Sequence, residues 1–115
     1  MESITIFEKI MAGEVPAEII FENEHVIAFN DINPQAPIHV LVVPKKKIVS
    51  IAEAMDMSAE DMGYFMQGVC LTARALQLDE NGYRVVINHG SDGQQTVAYI
   101  HAHILGGKKL SWPPC

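Results

Sequence analysis

Apolar and polar positions along the first part of the chain predict one short helix and three strands. From Ser3 apolar residues recur at helical spacing as far as Gly13, which is typical of a short amphipathic helix. Two segments joined by a polar pair then predict a hairpin, and a β-branched apolar run closed by Pro44 predicts a buried strand. The three predicted strands cover residues 17–22, 25–30 and 38–43.

The second half predicts the longest helix and two more strands. The helix begins at Ser58, with Asp61 three residues later as an approximate capping box, and ends at Asn81-Gly82. Strands follow at 83–87 and 98–105. Five strands with one long and one short helix indicate an α+β fold built on a mostly antiparallel sheet, in a single domain over residues 1–115. The apolar stripe of the long helix consists of Met62, Phe65, Met66, Val69, Ala73 and Leu76.

Composition narrows the possible partners. The 115 residues carry 8 Lys+Arg against 14 Asp+Glu, a formal net charge of −6, which disfavours duplex DNA or RNA as a ligand but not a single nucleotide. The one basic run, Lys45 to Lys47, is interpreted as a solvated strand exit. Cys70 and Cys115 indicate free thiols, and without a long apolar stretch or a signal-like start the predicted location is the cytoplasm.

Three histidines are the first candidates for chemistry. Alternation along the last strand predicts that His101 and His103 share the open face of the sheet with Tyr99. His39 interrupts an apolar strand, so it needs a polar partner if it is buried. Each histidine taken alone fits a structural role at least as well as a functional one. The opposite, buried face of the last strand is predicted to hold Ala98, Ile100, Ala102 and Ile104.

The polar segment 88–97 precedes that strand. Its glycines permit positive φ and close approach, and its backbone N–H groups could converge on an anion. An ordinary hairpin connection would also contain Gly90 and Asp92-Gly93. The segment is longer than a tight hairpin needs, which favours a functional loop.

The stretch from Tyr99 to Gly107 resembles the signature of the histidine triad (HIT) superfamily, in which histidines alternate with apolar residues before a glycine run. More of the chain is similar to its Hint branch, the histidine triad nucleotide-binding proteins. The further matching segments are 5–7, 15–17, 29–32, 34–37, 39–44, 88, 90–93 and 111–114. The resemblance implies a homodimer in which two five-stranded sheets join, a purine nucleoside 5′-monophosphate site, phosphoramidase activity, and no metal or other cofactor.

The resemblance also implies residue roles. His101 matches the nucleophile, and His103 and His39 match its flanking histidines. Asn88 and Thr96 match contacts to the phosphate and the leaving group, and Asp31 matches the carboxylate that binds the ribose hydroxyls. The residues matching the base pocket are Ile6, Phe7, Phe29 and Ile32, and Trp112 matches a tail residue that can reach the partner's site.

Two positions depart from the family pattern. Tyr99 replaces the first histidine of the triad, which affects the expected rate and leaving-group handling. Gln94 stands where relatives often have glycine, at a position whose backbone amide approaches the phosphate. Its effect depends on whether the backbone there needs positive φ, which the sequence alone leaves open.

The chemistry expected of these residues is nucleophilic catalysis by a neutral imidazole. One ring nitrogen of His101 donates to a backbone carbonyl and the other attacks the α-phosphorus, while His103, through Thr96, supplies a proton to the amine. Two alternatives stay open. One is a nucleotide-binding scaffold that lost catalysis with Tyr99, and the other is a zinc site made by His101, His103 and His39.

Overall fold

The computed structural model describes residues 4–115. The elements follow as helix α1 (Ile6–Met11), strands β1 (Ile19–Glu22), β2 (Val26–Asn30) and β3 (Ile38–Pro44), a 3₁₀ helix (Ile51–Asp56), helix α2 (Ala59–Ala75), and strands β4 (Arg84–Val86) and β5 (Ala102–Gly106). The strands form one antiparallel sheet in the order β1-β2-β3-β5-β4. The predicted α+β class and five-stranded sheet are confirmed.

The sheet buries both of its faces. One face packs on α2, where Val26, Val40, Val42 and Ile104 meet Phe65, Val69 and Ala73. The other face is covered by α1 through Phe7, which packs with Phe29, Leu41 and Tyr99. Tyr99 and His101 are therefore buried instead of lying on the open face predicted for them, because α1 folds back over that end of the sheet, whereas His103 is half-buried.

Helix α2 begins as predicted and ends earlier. The Ser58 hydroxyl accepts the Asp61 N–H at 3.0 Å, but the Asp61 carboxylate pairs with Lys46 instead of completing a capping box. The helix stops at Ala75 rather than at Asn81-Gly82, since Gln77 adopts φ +60° and turns the chain so that Leu78 enters the core. Of the predicted stripe, Met62 and Met66 stay exposed.

Helix α1 begins with a capping box in which both reciprocal hydrogen bonds are formed. Glu8 accepts the Thr5 N–H at 2.9 Å, and the Thr5 hydroxyl accepts the Glu8 N–H at 3.4 Å. Ser3, where the predicted helix begins, lies outside the described residues. Among residues 4–115 none of the helices combines the length and apolar character needed to cross a membrane.

The basic run after β3 is exposed at Lys45 and Lys46, as predicted for a solvated strand exit, but each lysine is also paired. Lys45 pairs with Glu22 at 2.7 Å, Lys46 with Asp61 at 2.8 Å and Lys47 with Glu8 at 3.0 Å. Three successive lysines therefore join the end of β3 to β1, α2 and α1. The sequence did not predict these pairs, because the carboxylates come from distant parts of the chain.

The last strand is shorter than predicted. Residues 98–101 run outside the ladder, and only Ala102–Gly106 pair with β3 and β4. The Ile100 N–H instead donates to the Ile48 carbonyl at 2.8 Å. As a result Ala98, predicted to be buried, is exposed, whereas Ile100, Ala102 and Ile104 are buried as predicted.

Candidate functional site

His101 is held by the backbone just before it. Its Nδ1 lies 2.8 Å from the Tyr99 carbonyl oxygen, and the Phe7 ring stands edge-on with a centroid separation of 4.9 Å. A carbonyl only accepts hydrogen bonds, so Nδ1 carries the ring proton in the neutral form and Nε2 carries the lone pair. The predicted contact between His101 and a backbone carbonyl is confirmed.

His39 and His103 meet across two neighbouring strands. Leu41 pairs with His103 in the register of β3 and β5, so His39 is the diagonal neighbour on the same face. The His39 Nε2 lies 2.8 Å from the His103 Nδ1, and the Asp31 carboxylate lies 3.4 Å from the same Nε2. The His101 ring stands 5.0 Å from the His103 ring. The structure therefore brings together all three histidines and Asp31.

The proton positions in this cluster follow from one backbone donor. The Gln35 N–H donates to the His39 Nδ1 at 3.0 Å, which leaves the His39 proton on Nε2. That proton is donated to the His103 Nδ1, so the proton of neutral His103 sits on Nε2. His101 and His103 thus present opposite groups, a bare Nε2 and an Nε2–H. The side chain of Gln35 gave no signal for this role, since only its backbone acts.

Burial keeps the two catalytic candidates neutral. It lowers the pKa of His101, against an opposing effect of the Tyr99 carbonyl and Asp31. Burial, followed by the neighbouring His101 and His39, lowers the pKa of His103 to about 4. Both imidazoles are therefore neutral near pH 7, with one proton on each ring.

Tyr99 is a core residue rather than a member of the site. Its hydroxyl donates to the Pro44 carbonyl, its ring packs on Phe7, and burial raises its pKa to about 12. The side chain ties the segment before His101 to the end of β3. The carbonyl that holds His101 belongs to the Tyr99 backbone, so it does not depend on which side chain occupies this position.

The polar loop is organised by Asn88 and Gln95. The Asn88 side chain donates to the Gly93 carbonyl at 2.7 Å, so one of its two N–H groups is used within the loop. The Gln95 side chain donates to the carbonyls of Val49 and Val97 and accepts the Gly90 N–H. The sequence reasoning assigned Gln95 no role, although an amide side chain in a glycine-rich loop was the available signal.

Gln94 and Thr96 differ in what they offer an anion. Gln94 adopts φ +62°, the conformation that favours glycine, and its N–H already donates to the Ser91 carbonyl at 3.1 Å. Its amide is therefore committed to the loop, contrary to the expected phosphate contact. Within residues 4–115, neither the N–H nor the hydroxyl of Thr96 has a hydrogen-bond partner.

The residues assigned to the base pocket separate into two groups. Phe7 and Phe29 are each 3% exposed and pack on one another with ring centroids 5.7 Å apart, so they form core beneath the site. Ile6 is half exposed and Ile32 is fully exposed, next to Asp31. Of the residues expected to line the base pocket, only Ile6 and Ile32 are therefore exposed, because α1 packs Phe7 and Phe29 into the core.

Trp112 lies away from the histidines of its own chain. It is 79% exposed and sits beside β4, where the Arg84 guanidinium lies 5.9 Å from its ring. Arg84 also donates to the Ser111 carbonyl at 2.8 Å. Because β4 is the last strand of the sheet, this contact holds the tail at the outer edge.

One metal-competent set exists among the described residues. Ligand atoms of Asp31, His39 and His103 all lie within 4.8 Å of one another. The zinc set expected from sequence contained His101 instead of Asp31. His101 Nδ1 is engaged by the Tyr99 carbonyl, and a carboxylate distant in sequence takes the third place.

Comparisons with known proteins agree with this fold and site. The HIT domain family matches residues 12–110. The chain is 46% identical to the "14 kDa zinc-binding protein" of Zea mays over 98% of this chain and 89% of the relative. It is 39% identical to "Adenylylsulfatase HINT1" of Arabidopsis thaliana, over 98% and 78% of the two chains.

A solved structure gives the same picture. A HIT family hydrolase from Legionella pneumophila Philadelphia 1 superimposes with a TM-score of 0.89 at 44% identity, covering 96% of this chain and 98% of that one. The match includes the five-stranded antiparallel sheet and its few helices. The chain therefore belongs to the HIT domain family, on its Hint-like branch.

Proposed function

We propose that this protein hydrolyses purine nucleoside 5′-phosphoramidates through a nucleotidyl-histidine intermediate on His101. The observation that carries the proposal is the pairing of opposite tautomers, a bare Nε2 on His101 next to an Nε2–H on His103. Cleavage of a P–N bond requires a nucleophile, here the His101 Nε2, and a second group that donates a proton to the departing amine once it is itself protonated, here His103. The hydrolase and HINT1 names of similar proteins support the same class of reaction.

In the first step a P–N bond is exchanged for a bond to histidine. The His101 Nε2 lone pair attacks the α-phosphorus, the P–N bond breaks, and the amine leaves with its electron pair and one added proton. His101 then carries the nucleotidyl group and a positive charge, which the Tyr99 carbonyl stabilises at Nδ1–H. In the second step water attacks the phosphorus, the bond between the phosphorus and the His101 Nε2 breaks with its electron pair returning to Nε2, and one water proton passes to His103 as the nucleoside monophosphate is released.

His103 is the proposed proton source, acting through the Thr96 hydroxyl. Loss of a proton from neutral His103 would create an unstable anion, so the donor is the imidazolium. Burial disfavours that form in the empty site, but a bound phosphoryl anion raises the pKa of an adjacent imidazole. The proton therefore enters with the substrate, and the His39 and Asp31 contacts stabilise the charged ring.

Charge on the phosphoryl oxygens requires donors that are already in place. The Thr96 N–H and hydroxyl are unengaged among residues 4–115, and the Asn88 amide keeps one N–H after its bond to Gly93. These groups are the proposed phosphate contacts. Gln94 acts through its backbone conformation, by turning the loop towards Thr96.

The nucleoside is proposed to extend from the histidines towards Asp31. This carboxylate would accept the ribose hydroxyls, and the exposed Ile6 and Ile32 would cover the base while Phe7 and Phe29 support them from the core. Such apolar contacts accommodate either purine, as the family resemblance implies.

A homodimer is part of the proposal. The strand β4 ends the sheet, its Val85 is exposed, and the tail with Trp112 is held at this edge. Joining two sheets there would bring Trp112 towards the partner's site. The cytoplasmic location remains a prediction from the sequence.

The direct test is hydrolysis of adenosine 5′-phosphoramidate by the purified protein. We expect turnover without added metal, a His101→Ala variant at least about a thousandfold slower, and a His25→Ala control near wild type because His25 stacks on Tyr64 elsewhere. Intact-mass detection of a nucleotidyl adduct on the wild type would support the intermediate. Equal turnover by wild type and His101→Ala would exclude the mechanism.

The same experiment addresses the scaffold alternative. If AMP binds by calorimetry but no phosphoramidate is hydrolysed over a long incubation, the protein is a nucleotide-binding scaffold. The retention of His39, His101, His103 and Asp31 in one cluster argues against that outcome, since binding alone would not need three imidazoles.

Zinc binding is the second candidate function, favoured by the Asp31, His39 and His103 set and by the name of the Zea mays relative. Three protein ligands leave a fourth position open on a tetrahedral ion. The ion would replace the proton between His39 and His103, so zinc would compete with the proposed acid. Inhibition of hydrolysis by zinc, reversed by EDTA, is expected if the set binds the ion.

A further inference from the structure

A groove of about 470 Å³ opens beside Thr96. Most of its lining is apolar. The apolar lining residues are Ile6, Val49, Val97 and Ala98, and the polar ones are Thr5, Thr96 and Lys47. We name it the Thr96 groove. Ile6 and Ala98 are exposed, so the groove presents apolar surface to solvent.

Both walls of the groove continue into the residues that hold His101. Ile6 precedes Phe7, whose ring centroid is 4.9 Å from that of His101. Ala98 precedes Tyr99, whose carbonyl oxygen binds the His101 Nδ1 at 2.8 Å. Thr96, the proposed contact of the leaving group, lines the groove itself. A group leaving the phosphorus near Thr96 would therefore enter the groove directly.

The charged residue that lines the groove, Lys47, is already part of an ion pair. Lys47 pairs with Glu8 at 3.0 Å and lies 5.8 Å from the centroid of the Tyr99 ring. Glu8 also accepts the Thr5 N–H, and this contact together with Lys47 lowers the pKa of its carboxyl. A charged chain in the groove would have to compete with this ion pair, whereas an apolar chain would simply displace water from the walls.

We propose that the Thr96 groove binds the apolar substituent of the departing amine, so that the substrates are nucleoside phosphoramidates of amines with an uncharged hydrocarbon chain. This inference rests on the proposed function and specifies its substrate class. The amine nitrogen would lie at Thr96 and its chain along Val97, Ala98 and Val49.

The test compares three substrates, the adenosine 5′-phosphoramidates of ammonia, n-hexylamine and an ether-containing amine of the same length. We expect kcat/KM for the hexylamine compound to exceed that for the ether by about tenfold, because each methylene removed from water contributes several-fold. The ammonia compound reports on the chemistry without the groove.

Two variants change different properties of the groove, its volume and the polarity of its lining. Ala98→Phe fills it, and Val49→Gln makes one wall polar at similar volume. Both should lower kcat/KM for the hexylamine compound about tenfold and leave the ammonia compound within about twofold. Ala75→Phe, the same change at an exposed position of α2, is the control and should alter neither. Since each substrate is compared between variant and wild type, differences in amine basicity cancel.

The outcomes separate the two proposals. Turnover of the ammonia compound with no preference for hexylamine, or an equal loss on all three substrates in both variants, would overturn the groove inference and leave the proposed function intact. No turnover of any compound by the wild type would overturn both.

Discussion

The Nε2 of His39 and the Nδ1 of His103 lie 2.8 Å apart, and the backbone N–H of Gln35 sets which of them carries the proton. This single donor, 3.0 Å from the His39 Nδ1, orders the tautomers of two rings. The His103 ring, with its proton on Nε2, then lies 5.0 Å from the His101 ring, whose Nε2 is bare. The arrangement is prepared before substrate binds, which is how a site avoids reorganisation during the reaction.

The first prediction concerns these tautomers. Long-range ¹H–¹⁵N spectra of the free protein near pH 7.5 should show the proton on Nε2 in His39 and His103, and on Nδ1 in His101. His101 is the internal control, because its carbonyl partner demands the opposite form. Finding His103 protonated on Nδ1 would contradict the proposed chain from Gln35.

The second prediction concerns stability against pH. Burial lowers the pKa of His103 from 6.5 to about 4, so between these values the unfolded chain binds more protons than the folded one. The contribution to the free energy of unfolding is complete above about pH 6.5 and is lost as the pH falls towards 4. His101 acts in the same direction. The melting temperature should fall over this range, and less steeply in His103→Gln.

The change of melting temperature with pH would be measured by calorimetry between pH 7.5 and pH 4.5, for the wild type and for His103→Gln. His103→Asn should flatten the slope as much as His103→Gln, since either change removes the titrating ring. Parallel slopes for wild type and both variants would show that His103 is not the group responsible.

The third prediction separates the hydroxyl of Tyr99 from its backbone. Tyr99→Phe leaves the buried Pro44 carbonyl without its donor, which should lower the free energy of unfolding by about 1–2 kcal/mol. Hydrolysis should stay within about threefold of wild type, because the backbone carbonyl holds His101. Urea unfolding and phosphoramidate assays measure the two effects. A large loss of kcat with unchanged stability would place the hydroxyl in the reaction.

The fourth prediction concerns the loop. A Cβ at Gly93 would lie 2.3 Å from the His89 carbonyl oxygen and 3.0 Å from its nitrogen, both backbone atoms. Gly93→Ala should therefore move the loop, break its contact with Asn88 and reduce kcat/KM at least about tenfold. Ser91→Ala changes the same loop without touching its backbone and should stay near wild type. Full activity in Gly93→Ala would show that the phosphate contacts do not need this loop conformation.

The fifth prediction contrasts two glycines of α2. A Cβ at Gly68 would meet both γ carbons of Val26 at 2.6 Å, so Gly68→Ala should destabilise the protein by about 1–3 kcal/mol. Gly63 has no atom within 4 Å of the added Cβ, so Gly63→Ala should stabilise the helix by about 0.5–1 kcal/mol. Urea unfolding of both variants tests the pair, and effects of the same sign would contradict the packing of α2 on β2.

Much of the fold follows from periodicity. Apolar β-branched runs, turn residues and, in the last strand, alternation identified every strand, and Ser58 marked the start of α2, because these signals depend on neighbours in sequence. The end of α2 was missed because Gln77 leaves the helix to bury Leu78, and this depends on where the core lies. Residues 98–101 alternate like a strand but lie beyond the ladder, since the Ile100 N–H donates to the Ile48 carbonyl instead of to β3.

The site divides in the same way. The types and spacing of His39, His101 and His103 were readable from the chain, and so was the carbonyl contact of His101, which spans two residues. The chain of hydrogen bonds from Gln35 through His39 to His103 was not readable from the sequence. It depends on the strand register, which brings His39 and His103 into contact although they are 64 positions apart.

By itself the sequence determined the element types, the family and which histidines are candidates for chemistry, since each depends on residue identity at short spacing. Only the tertiary structure decided that Phe7 and Phe29 form core, that three lysines pair with three carboxylates and that a groove opens beside Thr96. Packing of α1 over the sheet controls the aromatic core, the Lys47–Glu8 pair and the groove wall at Ile6, while β1 and α2 supply the other two carboxylates. A surface that is built from segments distant in sequence does not produce a periodic pattern of residues within any one segment, so it cannot be predicted from such a pattern.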